Sequence, residues 1–491
     1  MQITFRTILL LGLILGGARG GAASTAAMAA DQIEFSDCEL SGSQGFGKVT
    51  ASCTDFVRPV NPAEPNGPTL KLKVAVIHSL SPEPKPDAFT VINGGPGGSS
   101  IELYVDGVNA FRAILRERDI IVLDQRGTGD SNPLDCPELE ALSDSFDEDE
   151  YAFATDNCLA QLTSDPRFFT TSIAVQDLEA VRKALGYSHL NIYGVSYGTR
   201  VAQHYLRRYP GAVRTLIIDG VIPHDLALGP NAAINAQRTL DRLFARCAAT
   251  PQCHETYPDL AASFQRLRNR LLETPVTVEL AHPLSGKQET LELTYSHLLV
   301  TIRLLSYQSE TVSLIPLIID QAERLENYLP IASNALQILD SLSNAMRFGM
   351  HNAVICAEDV PFLGTINTAE LQATYMGSEQ VTALQAICSR WPNGLIDEDF
   401  RAPLNSNVPT LILSGEEDPI TPPFYGDQVA SALPNSLHLV AAGQGHGVFS
   451  RGCMPRLLAE FVQTGELPLD VSCVSKMAAE PFFINLLGPA P

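Results

Sequence analysis

The stretch Ile192-Tyr193-Gly194-Val195-Ser196-Tyr197-Gly198 decides the fold. It joins a short apolar strand pattern, Leu190 to Tyr193, to a helical run from Thr199 to Tyr209 through a G-x-S-x-G turn. So sharp a strand-to-helix reversal crowds the backbone, and small neighbours on both sides let a serine hydroxyl project from the sheet edge. The start of the helix behind it favours negative charge developing in front.

Working outward, strand patterns at Leu70 to Ile77, Ala88 to Ile92, Ile120 to Asp124, Leu190 to Tyr193 and Thr215 to Asp219 alternate with helical patterns. Two of those helices are expected at Ile101 to Arg116 and Thr171 to Leu185. Alternation of this kind predicts a mostly parallel, doubly wound α/β sheet with right-handed crossovers. From 223 to 403 the period becomes helical, through 231–248, 260–272, 295–308, 314–327 and 335–345. Strand patterns return at Thr410 to Ser414 and Leu437 to Ala441, followed by a helix over Met454 to Gln463. The expected organisation is a catalytic domain of residues 31–222 and 404–491 interrupted by a helical cap, 223–403. Residues 31–60 read as a loop-rich entry segment, and the acidic stretch 138–150 as a solvated surface loop.

A serine hydroxyl becomes a useful nucleophile only when a base takes its proton and a third group orients the base. Both partners can be found downstream. Ser414-Gly415-Glu416-Glu417-Asp418-Pro419 follows one strand pattern, and Gly443-Gln444-Gly445-His446-Gly447 follows the next. The order Ser196, Asp418, His446 is that of an α/β-hydrolase. Glu416 and Glu417 are alternative orienters, and His438, inside a strand pattern, is the rival base. Acyl transfer also needs donors for a tetrahedral oxyanion. The loop Asn93-Gly94-Gly95-Pro96-Gly97-Gly98 leaves backbone amides open, and the amides of Gly95 and Tyr197 are the expected pair. As a phosphate loop it lacks a following G-K-[ST], and Pro96 removes a donor.

These motifs, together with Asp124-Gln-Arg-Gly-Thr-Gly-Asp-Ser131 and Gly415-Glu-Glu-Asp-Pro-Ile-Thr-Pro422, resemble the prolyl iminopeptidase and tripeptidyl aminopeptidase family over roughly residues 50–222 and 404–470. The resemblance implies an α/β-hydrolase core with a helical cap inserted after the sixth strand. It also implies removal of N-terminal residues or short peptides, proline- or tripeptide-releasing, without metal or organic cofactor. Carried over, Ser196 is the nucleophile, His446 the base and then acid, Asp418 its orienter, and Gly95 and Tyr197 the oxyanion donors. The Asp124 to Ser131 loop is a supporting element. Asn93 stands where prolyl iminopeptidases usually have His, and Tyr197 where they usually have Trp, so the chain is closer to the secreted tripeptidyl aminopeptidase branch. In Ile355-Cys356-Ala357-Glu358-Asp359, which resembles a Cys-x-acid segment of the family's cap, Glu358 is the candidate ligand for the substrate's α-amino group. An esterase using the same triad, or a non-catalytic binding protein on a hydrolase scaffold, are the competing readings.

A net charge of −22 over 491 residues argues against a nucleic-acid partner or an anionic membrane surface, since binding either needs a clustered excess of Lys and Arg that the sequence lacks. Arg6, the apolar run Thr7 to Gly16 and small residues to Ala30 read as a signal peptide over residues 1–30, with Ala27-Met28-Ala29 as the cleavage site and Ala23 as an alternative. Its apolar core is shorter than the roughly 20 residues of a membrane span. Ten cysteines fit an oxidising compartment, periplasm or medium, and fall in successive pairs: Cys38 with Cys53, Cys136 with Cys158, Cys247 with Cys253, Cys356 with Cys388, Cys453 with Cys473. Buried free thiols are the alternative. The expected partner is a short peptide with a free N-terminus; oligomeric state is not legible.

Overall fold

Three of the apolar runs, Ala88–Ile92 (β4), Ile120–Leu123 (β5) and Leu190–Val195 (β6), are buried along their whole length, as strands covered on both faces must be. In the computed structural model they lie at the centre of a nine-stranded sheet. The others are Ser36–Ser41 (β1), Lys48–Pro59 (β2), Thr69–Ile77 (β3), Val213–Asp219 (β7), Thr410–Gly415 (β10) and Ser436–Ala441 (β11), in the order β1-β2-β3-β5-β4-β6-β7-β10-β11. Pairing is antiparallel from β1 to β5 and parallel from β5 to β11. The structure describes residues 33–43, 45, 47–140, 142 and 148–489, so the leader lies outside the described residues.

The expected loop-rich entry is instead the hairpin β1–β2, which extends the sheet on its antiparallel edge. Exposed and buried residues interleave along it, so no continuous apolar run announces a strand. The helix expected over 101–116 is broken into Ser100–Asp106, Val108–Phe111 and Ile114–Arg116. Its break falls at Gly107, where a Cβ would stand 2.7 Å from the Phe449 ring. The ends of the acidic stretch are helical, Pro137–Glu140 and Glu148–Gln161, rather than loop.

Helices at Pro230–Ala249, Leu260–Glu273, Tyr295–Leu305, Ile315–Arg324 and Leu329–Ala345 follow the helical pattern of the inserted segment. A hairpin of Val276–Ala281 (β8) with Gln288–Leu293 (β9) lies among them; its mostly exposed strands carry too few buried residues to show in hydrophobic spacing. The cores do not follow the chain division at 223 and 404. Met350, Val354 and Cys356, on the helix Phe348–Glu358, pack with Tyr197 and Phe169 in the core beside the sheet. Phe482, from the C-terminal tail, joins the core of the inserted helices instead. The five cysteine pairs form as their order along the chain suggested. No described helix is long and apolar enough to cross a membrane.

The Asp124 to Ser131 loop is held by buried charge. Arg126, with no exposed surface, forks onto Asp177 at 2.7 and 2.9 Å and donates to the carbonyls of Val60 and Phe168 at 2.9 and 3.0 Å. Removing one partner of such a pair strands the other charge, at about 3–5 kcal/mol. Asp124 accepts from Ser99 Oγ at 2.7 Å and from the Ile101 amide at 3.1 Å, so the same loop fixes the end of the glycine loop.

Candidate active site

Ser196 sits between β6 and the helix Tyr197–Arg208 at φ 56°, ψ −124°, a conformation that costs a non-glycine residue on the order of 1–3 kcal/mol. The surrounding glycines explain why it is tolerated. A Cβ on Gly198 would stand 2.3 Å from the Ile92 carbonyl, and one on Gly94 2.7 Å from Ser196 Cβ. No larger residue allows so close an approach. The Ser196 amide donates to the Asp219 carbonyl at 2.9 Å.

His446 lies on the loop after β11, and its Nδ1 is 2.7 Å from Asp418 Oδ2. Asp418 is buried; its Oδ1 accepts the amides of Ile420 and Thr421 at 2.9 and 2.8 Å, and its Oδ2 the Thr421 hydroxyl at 2.7 Å. Burial would raise the Asp418 carboxyl, but the charge and hydrogen bond of His446 and the two amides outweigh it and hold it below the usual carboxylate range. Burial pulls the other way on His446, and Asp418 wins there as well, holding the imidazole above its ordinary value. With Nδ1–H directed at Asp418, Nε2 is the free acceptor. The imidazole is set by its main chain, whose amide donates to the Tyr307 carbonyl at 2.7 Å, and by the Tyr307 ring edge-on at 5.3 Å.

The rival groups are engaged elsewhere. Glu417 forks with Arg242 at 2.9 Å, Glu416 accepts the Gly443 amide, and His438 lies between Ser414 Oγ at 3.0 Å and Asp427 at 2.9 Å.

Sequence reasoning passed over Asp219, the last residue of β7. Its carbonyl holds the Ser196 amide, while its carboxylate accepts the amides of Val448 at 2.8 Å and Phe449 at 2.9 Å and the Tyr193 hydroxyl at 3.0 Å. One residue therefore braces the serine turn and the histidine loop together. Burial pushes its carboxyl up to about 6, against the pull of those donors. Next to it, Gly220 is so close to the imidazole that a Cβ would meet His446 Cε1 at 2.9 Å. The only sequence signal of Asp219 is an acid ending a strand pattern.

In the glycine loop, Asn93 Oδ1 takes the Gly94 amide at 2.7 Å and its Nδ2 donates to the Ser99 carbonyl at 2.8 Å, shaping the turn from inside. Gly95 follows at φ 111°, and Tyr197, as the first residue of its helix, has no intrahelical acceptor for its amide. The inserted segment lies directly on this loop: Gly98 bridges Met346, and the Arg347 amide donates to the Gly97 carbonyl at 3.1 Å. Between them is a cavity of about 310 Å³, reaching Gly95 and Tyr307, walled by Leu304, Met346, Phe348 and Ile387, with Arg303, His351 and Gln380 among its polar groups.

Glu358 is not brought to that cavity. It is fully buried, its two oxygens accepting the amide and hydroxyl of Thr171 at 2.7 and 2.9 Å, with Arg200 at 3.5 Å. Thr171 Oγ1 is in turn 2.7 Å from the Tyr197 hydroxyl, which also accepts from Gln125 at 3.0 Å. Burial pushes the Glu358 carboxyl up to about 7 despite Arg200 and Thr171. Asp359 takes the Arg200 fork at 2.9 and 2.8 Å, tying this segment to the helix behind Ser196.

A mostly parallel sheet, a serine on a strained strand-to-helix turn and an Asp–His pair on the loops after the sheet's last two strands, β10 and β11, define an α/β-hydrolase. The chain belongs to the alpha/beta hydrolase fold family, whose model matches residues 87–452. The motif resemblance to peptidases returns among its relatives. Serine protease Hip1 of Mycobacterium tuberculosis (strain ATCC 25618 / H37Rv) is 24% identical over 486 residues, 89% of each chain. Tripeptidyl aminopeptidase of Streptomyces lividans is 27% identical over 226 residues, 42% of this chain and 41% of that one. The Escherichia coli (strain K12) protein YuaR is 29% identical over 276 residues, 51% of this chain and 54% of its own. With the last two, the match spans only about half of the relative or less.

Proposed function

We propose that this protein is an exported serine aminopeptidase that hydrolyses peptide bonds near the free N-terminus of short peptides through an acyl-enzyme. The observation that carries the reading is the Asp418–His446 pair at 2.7 Å, on a loop that Asp219 ties to the turn holding Ser196 at φ 56°. Ser196 Oγ attacks the scissile carbonyl as His446 Nε2 takes its proton. Asp418 keeps the other ring proton in place and stabilises the imidazolium; the amides of Gly95 and Tyr197 receive the oxyanion. His446 then protonates the leaving amine, and water, deprotonated by the same nitrogen, releases the acyl group. The names of two relatives, a serine protease and a tripeptidyl aminopeptidase, support peptides as substrates, and the leader pattern with five disulfides supports export.

Glu358 takes part in this reading at one remove. Through Thr171 and the Tyr197 hydroxyl it is a positioning residue for the Tyr197 amide. Glu358→Gln is therefore expected to lower kcat several-fold with KM little changed; a rise in KM confined to free-amine substrates would instead make it a ligand of the substrate amine.

A second reading, an esterase with the same triad, is favoured by one observation: no carboxylate among the described residues lines the cavity to meet an ammonium group. Chromogenic amides of mono-, di- and tripeptides, free and N-acetylated, with short acyl esters alongside, separate the two. Cleavage restricted to free-amine peptides is the expected result and gives the number of residues released. Cleavage of esters or blocked peptides alone would overturn the peptidase reading.

A further inference from the structure

Arg303 projects from the helix Tyr295–Leu305 into the wall of the cavity that reaches Gly95. Its Nη1 donates to Gln380 Oε1 at 2.8 Å and lies 3.9 Å from Met376 Sδ. No carboxylate among the described residues pairs with it; Arg126, Arg200 and Arg242, by contrast, each fork onto an acid. The other ionisable groups on the cavity do not answer its charge. Burial holds His351 below its ordinary range, against the Pro96 carbonyl and the charge of Asp359, and so favours its neutral form; the Tyr307 hydroxyl hydrogen-bonds Arg303, but burial raises it and keeps it an uncharged partner, and Tyr151 is a phenol as well. What remains is one guanidinium in a wall otherwise made largely of Leu304, Met346, Phe348 and Ile387.

A cation kept in an apolar wall without a counter-charge is costly unless a ligand supplies one. The planar fork of a guanidinium fits a carboxylate with two parallel hydrogen bonds, and Gln380 on Nη1 together with the Tyr307 hydroxyl orients the fork and leaves its remaining donors for a ligand. We infer that Arg303, oriented by Gln380, is the receptor for a substrate carboxylate, so that acidic short peptides are the favoured substrates. The carboxylate is either an Asp or Glu side chain near the scissile bond or the peptide's own C-terminus. This rests on the peptide reading above, and it adds a charge requirement that the catalytic groups do not impose.

The test is a set of short free-amine peptides carrying Glu or its neutral isostere Gln at each position in turn, every one made as C-terminal acid and amide. One charged member of a pair is expected to be preferred by roughly 10- to 100-fold in kcat/KM, mostly through KM, as befits a charge-assisted hydrogen bond. Whether that pair differs in side chain or in C-terminus identifies the source of the carboxylate. The preference is expected to vanish in Arg303→Met, and also in Gln380→Glu, which gives the guanidinium an internal carboxylate. Labelling of Ser196 by a fluorophosphonate shows that each variant is folded; should Arg303→Met not label, Gln380→Glu decides. Equal use of every charged and neutral pair, or a preference that survives the labelled variants, overturns the inference. Failure of the peptide reading looks different: the native enzyme labels but cleaves no peptide. The comparison then passes to glutarate monoesters against their neutral glutaramate counterparts, where an Arg303-dependent preference sustains the anion site and its absence removes it.

Discussion

Ser196→Ala is expected to lower turnover by about 10⁶-fold and to abolish fluorophosphonate labelling, the loss seen when serine hydrolases are stripped of their nucleophile. The protein should remain folded. Ser196 Oγ makes no hydrogen bond with the described residues, and the contacts that hold the turn are made by backbone, chiefly the Ser196 amide on the Asp219 carbonyl at 2.9 Å. Alanine inherits the same φ of 56° with the same Cβ, so backbone strain is unchanged. Steady-state kinetics and thermal unfolding on the purified variant check both halves. Turnover within tenfold of the native enzyme would mean that another residue is the nucleophile.

Asp418→Asn should cost about 10⁴-fold, because an amide of the same shape no longer holds His446 in the tautomer that leaves Nε2 free. Here the pH dependence gives a second readout. His446 must be neutral to act as base, so activity is lost as pH falls through its pKa. In the native protein Asp418 holds that pKa above 6.5, and the acid limb of kcat/KM is expected above pH 6.5. Without the carboxylate the remaining influence of burial is downward, and the limb of the residual activity should move to lower pH. Asp219 is the alternative orienter, since its charge also bears on His446. A loss of less than tenfold with an unmoved limb would transfer the role to it.

The site was legible in proportion to how local its causes are. The G-x-S-x-G stretch, the glycine loop and the His446 loop announce themselves because positive φ and close backbone approach select glycine wherever they occur. The cysteine pairs were legible from their order along the chain. The hairpin β1–β2 was not, because an edge strand with a polar face lacks the apolar run by which buried strands are read. Asp219 and Glu358 were harder still. An acid at a strand end looks the same whether it faces solvent or receives the amides of a loop 229 residues away, and Glu358 meets Thr171 across 187 residues.

By itself, then, the sequence determined the alternating α/β architecture, the strained serine turn and the order of its partners, all of which follow from turn chemistry and hydrophobic period within a few residues. Tertiary structure alone decided which charges meet: that Asp418 rather than Glu416 or Glu417 reaches His446, that Glu358 is taken by Thr171, and that Arg303 faces a cavity where no acid among the described residues answers it. Hydrogen bonds and ion pairs act only where atoms approach within about 3–4 Å, and folding sets those distances between segments far apart in the chain.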